Sequence, residues 1–361
     1  MRLAPLLLAT LLSAPAFAGT PVGTALPLHI GGRVVAVGDN DPAQGYTHQW
    51  PGTYFEARFK GTTVHLRLND SVNKFNVYVD GQLVSTPSRP GEGDIALGPF
   101  APGDHTIRAE KLTEAAWTSA QFTGFFVSDP ANVLPAPEAS PREIEFIGDS
   151  YTVGYGNTSS TRDCPGDQVW AATNTQLAFG PLTAKHFNAD YRINAISGRG
   201  VVRNYGGGEG LHLPQAYPYM VQPQMVETAD WHPQIIVIGL GTNDFTTPLH
   251  GGEVWTTRDE LHSDYEQTYV QFVQDLRAKN PGAYFILMAT DQANGEIQSE
   301  VKKVLAALRA AGESRIDFIP MNGLTFGGCD WHPTTADDAQ VASGLIAFIE
   351  AKPDLWKPKT N

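Results

Sequence analysis

Four short blocks hold side chains that could cooperate in acyl transfer: Gly148-Asp149-Ser150-Tyr151, Ile196-Ser197-Gly198-Arg199-Gly200, Gly241-Thr242-Asn243-Asp244 and Cys329-Asp330-Trp331-His332-Pro333. A serine hydroxyl is a poor nucleophile until a neighbouring imidazole takes its proton, so Ser150 would need His332. The tetrahedral intermediate that follows carries a negative oxygen, which fixed donors must meet. The backbone N–H groups of Ser150 and Gly198 and the side-chain amide of Asn243 are donors of the right kind, and Gly198 has no side chain to obstruct its own amide. An acid usually orients the histidine and stabilises the imidazolium, and Asp330 lies two residues ahead of His332. Asp330 is therefore the expected third member, reaching the ring from a tight turn. The alternative is a backbone carbonyl, such as that of Trp331, with Ser150 and His332 acting as a pair. Asp149 and Asp244 read as turn-shaping groups that bond backbone amides, not as acids in the reaction.

These blocks can act together only if the fold gathers them. From Arg142 onward strands and helices alternate, with apolar strands expected at 144–147, 191–196, 235–240, 284–289 and 316–319. Leu261, Tyr265, Tyr269, Phe272 and Leu276 share one helical face, Val301, Val304, Leu305 and Leu308 another, and a last helix starts near Thr334 or Thr335. The pattern predicts a three-layer α/β/α domain on a five-stranded parallel sheet. The four blocks follow its first, second, third and fifth strands. In such a sheet the loops at the carboxyl ends converge, whatever their separation in sequence.

Ahead of this lies a region of period two. Phe55, Ala57 and Phe59 alternate with Glu56, Arg58 and Lys60, and similar runs recur at 64–69, 75–80, 106–112 and 121–127, separated by turn residues. This predicts an antiparallel, jelly-roll-like sandwich. Residues 129–141, with Pro130, Pro135, Pro137 and Pro141, read as a semi-rigid linker. The expected organisation is thus a leader at 1–18, a sandwich at 19–128, the linker at 129–141 and the α/β/α domain at 142–361.

The leader assignment rests on Arg2, the apolar run from Leu6 to Leu12 and the small-x-small site Ala16-Phe17-Ala18, which together read as a secretory signal. A secreted or periplasmic protein is expected, with no membrane span. The formal charge of −13 argues against binding nucleic acid or an anionic membrane and leaves neutral polymers open as partners. In an oxidising compartment the two cysteines, Cys164 and Cys329, suggest one disulfide, which would fasten the loop after Ser150 to the loop before His332. Two separately buried thiols are the alternative. Neither H-e-x-x-H nor C-x-x-C occurs, so no metal and no cofactor is expected. Thr152 occupies the place of the second glycine in the G-x-S-x-G elbow, which sets the chain apart from α/β-hydrolases.

In their order, the four blocks resemble those of the SGNH, or GDSL, hydrolase superfamily. With the sandwich in front, the Gly198-Arg199-Gly200 turn before Arg203-Asn204, and Cys-Asp-Trp-His-Pro at the end, nearly the whole mature chain resembles carbohydrate esterase family two. That resemblance implies a serine esterase of the acetyl xylan esterase type, acting on xylan, glucomannan or derived oligosaccharides with a preference for acetyl at the sugar 6-position. One departure stands out: the superfamily's acid usually lies three residues before the histidine, and here that slot holds Cys329. Trp331, fixed between acid and base, is expected to line the pocket, with Arg199 and Tyr155 as further candidates for contact with acetylated plant polysaccharide. Two other readings stay open, an esterase or thioesterase of the same superfamily on lipid or aryl esters, and a carbohydrate-binding protein without activity.

Overall fold

Alternating side chains in the first third of the chain bury one face of the central strands, and two antiparallel sheets close over the result. In this computed structural model the described residues are 23–38, 44–115, 118–219, 221 and 230–357, so the leader expected at 1–18 lies outside them. Numbered along the chain, the strands are β1 (Thr24–Ala25), β2 (His29–Gly31), β3 (Val34–Ala36), β4 (Tyr46–His48), β5 (Tyr54–Lys60) and β6 (Val64–Asp70). They continue with β7 (Phe75–Val79), β8 (Gln82–Ser85), β9 (Gly91–Leu97), β10 (Asp104–Lys111) and β11 (Ala120–Val127). One sheet has the order β3-β4-β11-β6-β9 with β1 also on β11; the other runs β2-β5-β10-β7-β8. Phe55 from one sheet stacks on Phe122 from the other, ring centroids 3.7 Å apart, at the centre of a core that includes Phe59, Phe75, Leu66 and Phe125.

The second region is a parallel sheet of β12 (Glu143–Gly148), β13 (Asp190–Ala195), β14 (Ile235–Gly239), β15 (Tyr284–Thr290) and β16 (Ile316–Met321). Its order is β13-β12-β14-β15-β16. The chain leaves β12 toward β13 and then crosses back to β14, so the strand order reverses beside β12. That switch point is where open α/β sheets bind ligands. The principal helices are α1 (Ser150–Val153), α2 (Gln168–Ala172), α3 (Phe179–His186), α4 (Leu213–Ala216), α5 (Thr242–Phe245), α6 (Arg258–Lys279), α7 (Glu296–Ala310) and α8 (Thr335–Glu350). Helix α6 starts at a capping box between Thr257 and Glu260 and buries Leu261, Tyr265, Tyr269, Phe272 and Leu276, the face its periodicity requires. With α7 it covers one side of the sheet, while α3 and α8 cover the other.

The sandwich is fastened to this layer along its flank. Lys185 pairs with Glu110 at 2.8 Å, Tyr54 donates to Asp190 at 2.6 Å, and Trp170 donates through Nε1 to the Val72 carbonyl at 2.8 Å. Thr175 N–H and Gln176 Nε2 donate to the carbonyls of Leu112 and Lys111, at 2.8 and 3.3 Å. The segment after β10 is thereby held against the loop edge of the parallel sheet. Among the described residues no helix is long and apolar enough to cross a membrane.

Candidate active site

Strand β12 ends at Gly148, and Asp149 begins the next turn by capping α1. Its carboxylate accepts from Tyr151 N–H at 3.0 Å, a contact of a kind worth about 1 kcal/mol. Burial pushes this carboxyl up to about 7. Ser150 follows as the first residue of α1, where a backbone N–H has no intrahelical acceptor.

The Ser150 hydroxyl and His332 Nε2 lie 2.8 Å apart although 182 residues separate them. On the other side of the ring Nδ1 is 2.9 Å from the Cys329 carbonyl and 3.1 Å from that of Asp330. Since a carbonyl can only accept, the proton belongs on Nδ1, which leaves Nε2 to receive one from Ser150.

This corrects the expected role of Asp330. Its carboxylate does not meet the imidazole and instead accepts from the Tyr155 hydroxyl at 3.0 Å. The cause is backbone geometry: Asp330 at φ 50° and Trp331 at φ 63° form two successive left-handed residues, and this bend offers the ring carbonyls and leaves the carboxylate exposed. The carbonyls are also those of Cys329 and Asp330, one or two residues earlier than the Trp331 carbonyl the sequence suggested. Tyr155 lies over the imidazole with centroids 4.3 Å apart, and Tyr151 meets it edge-on at 5.3 Å. Burial and the Asp330 carboxylate raise the Tyr155 hydroxyl to about 12, so it remains a donor.

Burial lowers the His332 pKa from its ordinary 6.5, outweighing the carbonyls and the Asp330 charge that raise it. Only the neutral ring can accept the Ser150 proton. A pH profile of kcat/KM for ester hydrolysis should therefore hold its plateau on acidification and fall only below pH 6.5, the fall reporting the free enzyme's base.

Opposite the pair stand the other expected donors. Gly198 sits at φ 79°, a left-handed conformation that favours glycine, and a Cβ there would project into open space. Among the described residues its N–H donates to no backbone carbonyl, while its own carbonyl accepts from Tyr205 N–H at 2.9 Å. Asn243 Nδ2 donates to the Arg199 carbonyl at 2.9 Å and has a longer contact, 3.3 Å, with Asp149 Oδ2. Asp244 gathers the N–H groups of Val201, Val202 and Arg203 at 3.0 to 3.1, 3.0 and 2.9 Å, the turn-shaping part read from the sequence. Burial raises its carboxyl to about 6.

Ser150, Gly198, Asn243 and His332 line one cleft of about 680 Å³, together with Tyr155, Asp330 and Trp331. Trp331 is 61% exposed, with the Arg162 guanidinium 3.6 Å from its ring centre. Arg199 is not on this lining: its Nη1 donates to the Glu209 carbonyl at 2.8 Å, which commits it to the neighbouring loop. Three residues on the lining, Tyr205, Thr246 and Gln292, are missing from the sequence reading. Gln292 follows β15, the one strand whose carboxyl end that reading passes over, so the same rule would have found it. It accepts from the Tyr151 hydroxyl at 2.7 Å. Among the described residues no group of three or more His, Cys, Asp or Glu side chains could hold a metal ion.

Cys164 and Cys329 form a disulfide across 165 residues of chain. It joins the loop after α1 to the bend before His332, and Gly156 makes the approach possible, since a Cβ there would lie 2.3 Å from Cys329 Cβ. Closing so long a loop typically stabilises a fold by about 2–4 kcal/mol. Here it also limits how far the serine and histidine loops can part.

A parallel α/β/α sheet whose carboxyl edge brings Ser150, Gly198, Asn243 and His332 together defines a hydrolase fold of the SGNH class. Residues 30–137 match the carbohydrate esterase 2 N-terminal family and residues 146–345 the GDSL-like lipase/acylhydrolase family. The chain is 47% identical over 334 residues to an acetylxylan esterase / glucomannan deacetylase of Cellvibrio japonicus, covering 92% of each chain. A solved carbohydrate esterase, whose active site is described as displaying divergent catalytic and non-catalytic binding functions, superimposes with TM-score 0.87 at 46% identity over 92% of this chain and 100% of that one. A family two carbohydrate esterase from Clostridium thermocellum, solved in complex with cellohexaose, gives TM-score 0.80 at 27% identity over 91% and 99%. The chain belongs to carbohydrate esterase family two, built from that family's N-terminal domain and a GDSL-like hydrolase domain.

Proposed function

We propose that this protein removes O-acetyl groups from xylan, glucomannan or oligosaccharides derived from them, with acetyl at the sugar 6-position preferred. The observation that supports the reading most is the 2.8 Å approach of Ser150 Oγ to His332 Nε2 within the cleft. In this mechanism Ser150 attacks the acetyl carbonyl as His332 takes its proton. The N–H groups of Ser150 and Gly198 and the Asn243 amide hold the oxyanion. His332 then returns the proton to the departing sugar hydroxyl, and water repeats the sequence to release acetate. The Cys329 and Asp330 carbonyls hold the ring in its productive tautomer.

Asn243 enters the oxyanion cradle by giving up its longer contact with Asp149. Replacing it by alanine should lower kcat for acetyl ester hydrolysis by roughly 10²-fold to 10³-fold with a smaller change in KM, as steady-state kinetics would reveal. Export through the leader at 1–18 is part of the same reading, and the Cys164–Cys329 disulfide suits an oxidising compartment. Product analysis on acetylated xylan, glucomannan and cello-oligosaccharides tests the substrate class. Acetate release from these with little hydrolysis of p-nitrophenyl octanoate supports the reading, and the reverse preference refutes it.

A further inference from the structure

Ile196, Ser197, Gly198 and Arg199 make a tight turn: Arg199 N–H donates to the Ile196 carbonyl at 3.3 Å, and φ at Gly198 is 79°. A positive φ at the third position marks a type II turn, which differs from type I by a flip of the central peptide. That peptide carries the Gly198 N–H. Flipped, it would offer the cleft a carbonyl in place of a donor, so whatever fixes this turn fixes half of the backbone cradle.

One fastening comes from the other domain. Ser197 N–H donates to Glu114 Oε2 at 3.1 Å, across 83 residues of chain. Glu114 sits in the segment after β10, whose neighbours are themselves held: Thr175 N–H bonds the Leu112 carbonyl at 2.8 Å, and Lys74 N–H bonds Thr113 Oγ1 at 3.1 Å. Burial raises the Glu114 carboxyl above its ordinary range, and the bonds from Ser197 and the buried Lys111 ammonium, itself seated on the Gln49 carbonyl at 2.7 Å, oppose that rise. We infer that Glu114 is a positioning residue supplied by the sandwich, which holds the Ser197–Gly198 turn with its N–H directed into the cleft. This rests on the esterase reading above, and it gives the leading domain a part in the reaction distinct from carrying substrate.

The test compares Glu114→Ala, Glu114→Gln and Ser150→Ala in the full chain, using p-nitrophenyl acetate kinetics, inhibition by a small alkylboronic acid as the probe of the oxyanion cradle, and thermal melting. Glu114→Ala should lower kcat about tenfold or more with KM little changed, and weaken boronate binding by a similar factor. Glu114→Gln keeps an acceptor oxygen and should restore most of both. If Glu114→Ala does not fold, Glu114→Asp, which is one methylene shorter, is read in the same way. Unchanged kcat and boronate affinity per folded molecule, with only the melting temperature lowered, would overturn the inference while leaving the esterase reading intact. An active Ser150→Ala protein would instead remove the reading itself.

Discussion

Ser150→Ala is expected to abolish acetyl ester hydrolysis, with a fall in kcat of about 10⁶-fold, the scale seen when a serine hydrolase loses its nucleophile. The structure says why folding should survive. Among the described residues the hydroxyl's partner is His332, whereas α1 is capped by Asp149 and not by Ser150. Removing one oxygen from a buried first-turn position leaves the cap and the sheet untouched, so the melting temperature should stay close to that of the parent. Acetate release measured beside thermal melting separates the two effects. A well-folded Ser150→Ala protein that still turns over at near-normal rate would end the assignment.

The second large effect concerns the histidine and its support. His332→Ala should cost about as much as Ser150→Ala, because neither group acts without the other. Asp330→Asn should cost less than about tenfold, against the roughly 10⁴-fold loss when a true triad acid is made an amide. Asparagine is the informative replacement, since it tolerates the left-handed conformation at φ 50° and can still accept from Tyr155, while it carries no charge. Backbone carbonyls are unaffected by the change and continue to hold the Nδ1 proton. Steady-state rates for the two variants decide the matter: a 10⁴-fold loss in Asp330→Asn would mean that the carboxylate swings onto the ring during turnover.

The strands that carry this site were readable because each holds a dense group of apolar residues, such as Ile144, Phe146 and Ile147 in β12 and Ile235 to Ile238 in β14, and Gly148, Gly198 and Gly241 interrupt the chain just where loops must leave. Sandwich strands such as β5 and β10 declared themselves by alternation. Strand β9, Gly91-Glu92-Gly93-Asp94-Ile95-Ala96-Leu97, did not, because glycine and aspartate are poor strand formers and pairing along β6 supplies what propensity lacks. Asp330 misled for a different reason. Proximity of two residues in sequence says nothing about two consecutive positive φ angles, and these are what separate its carboxylate from the ring. Glu114 left no local sign at all, since a hydrogen bond across two domains is created by their docking. The disulfide could be read from parity and compartment, and it lies where that reading put it.

The most direct test of the account is covalent labelling with a serine-directed p-nitrophenyl phosphonate, followed by intact mass and peptide mapping. The account predicts one adduct per chain, on Ser150, formed in step with loss of acetyl esterase activity, and no adduct on the alanine variant. Complete inactivation with the label on another residue, or equal labelling of parent and Ser150→Ala proteins, would contradict it.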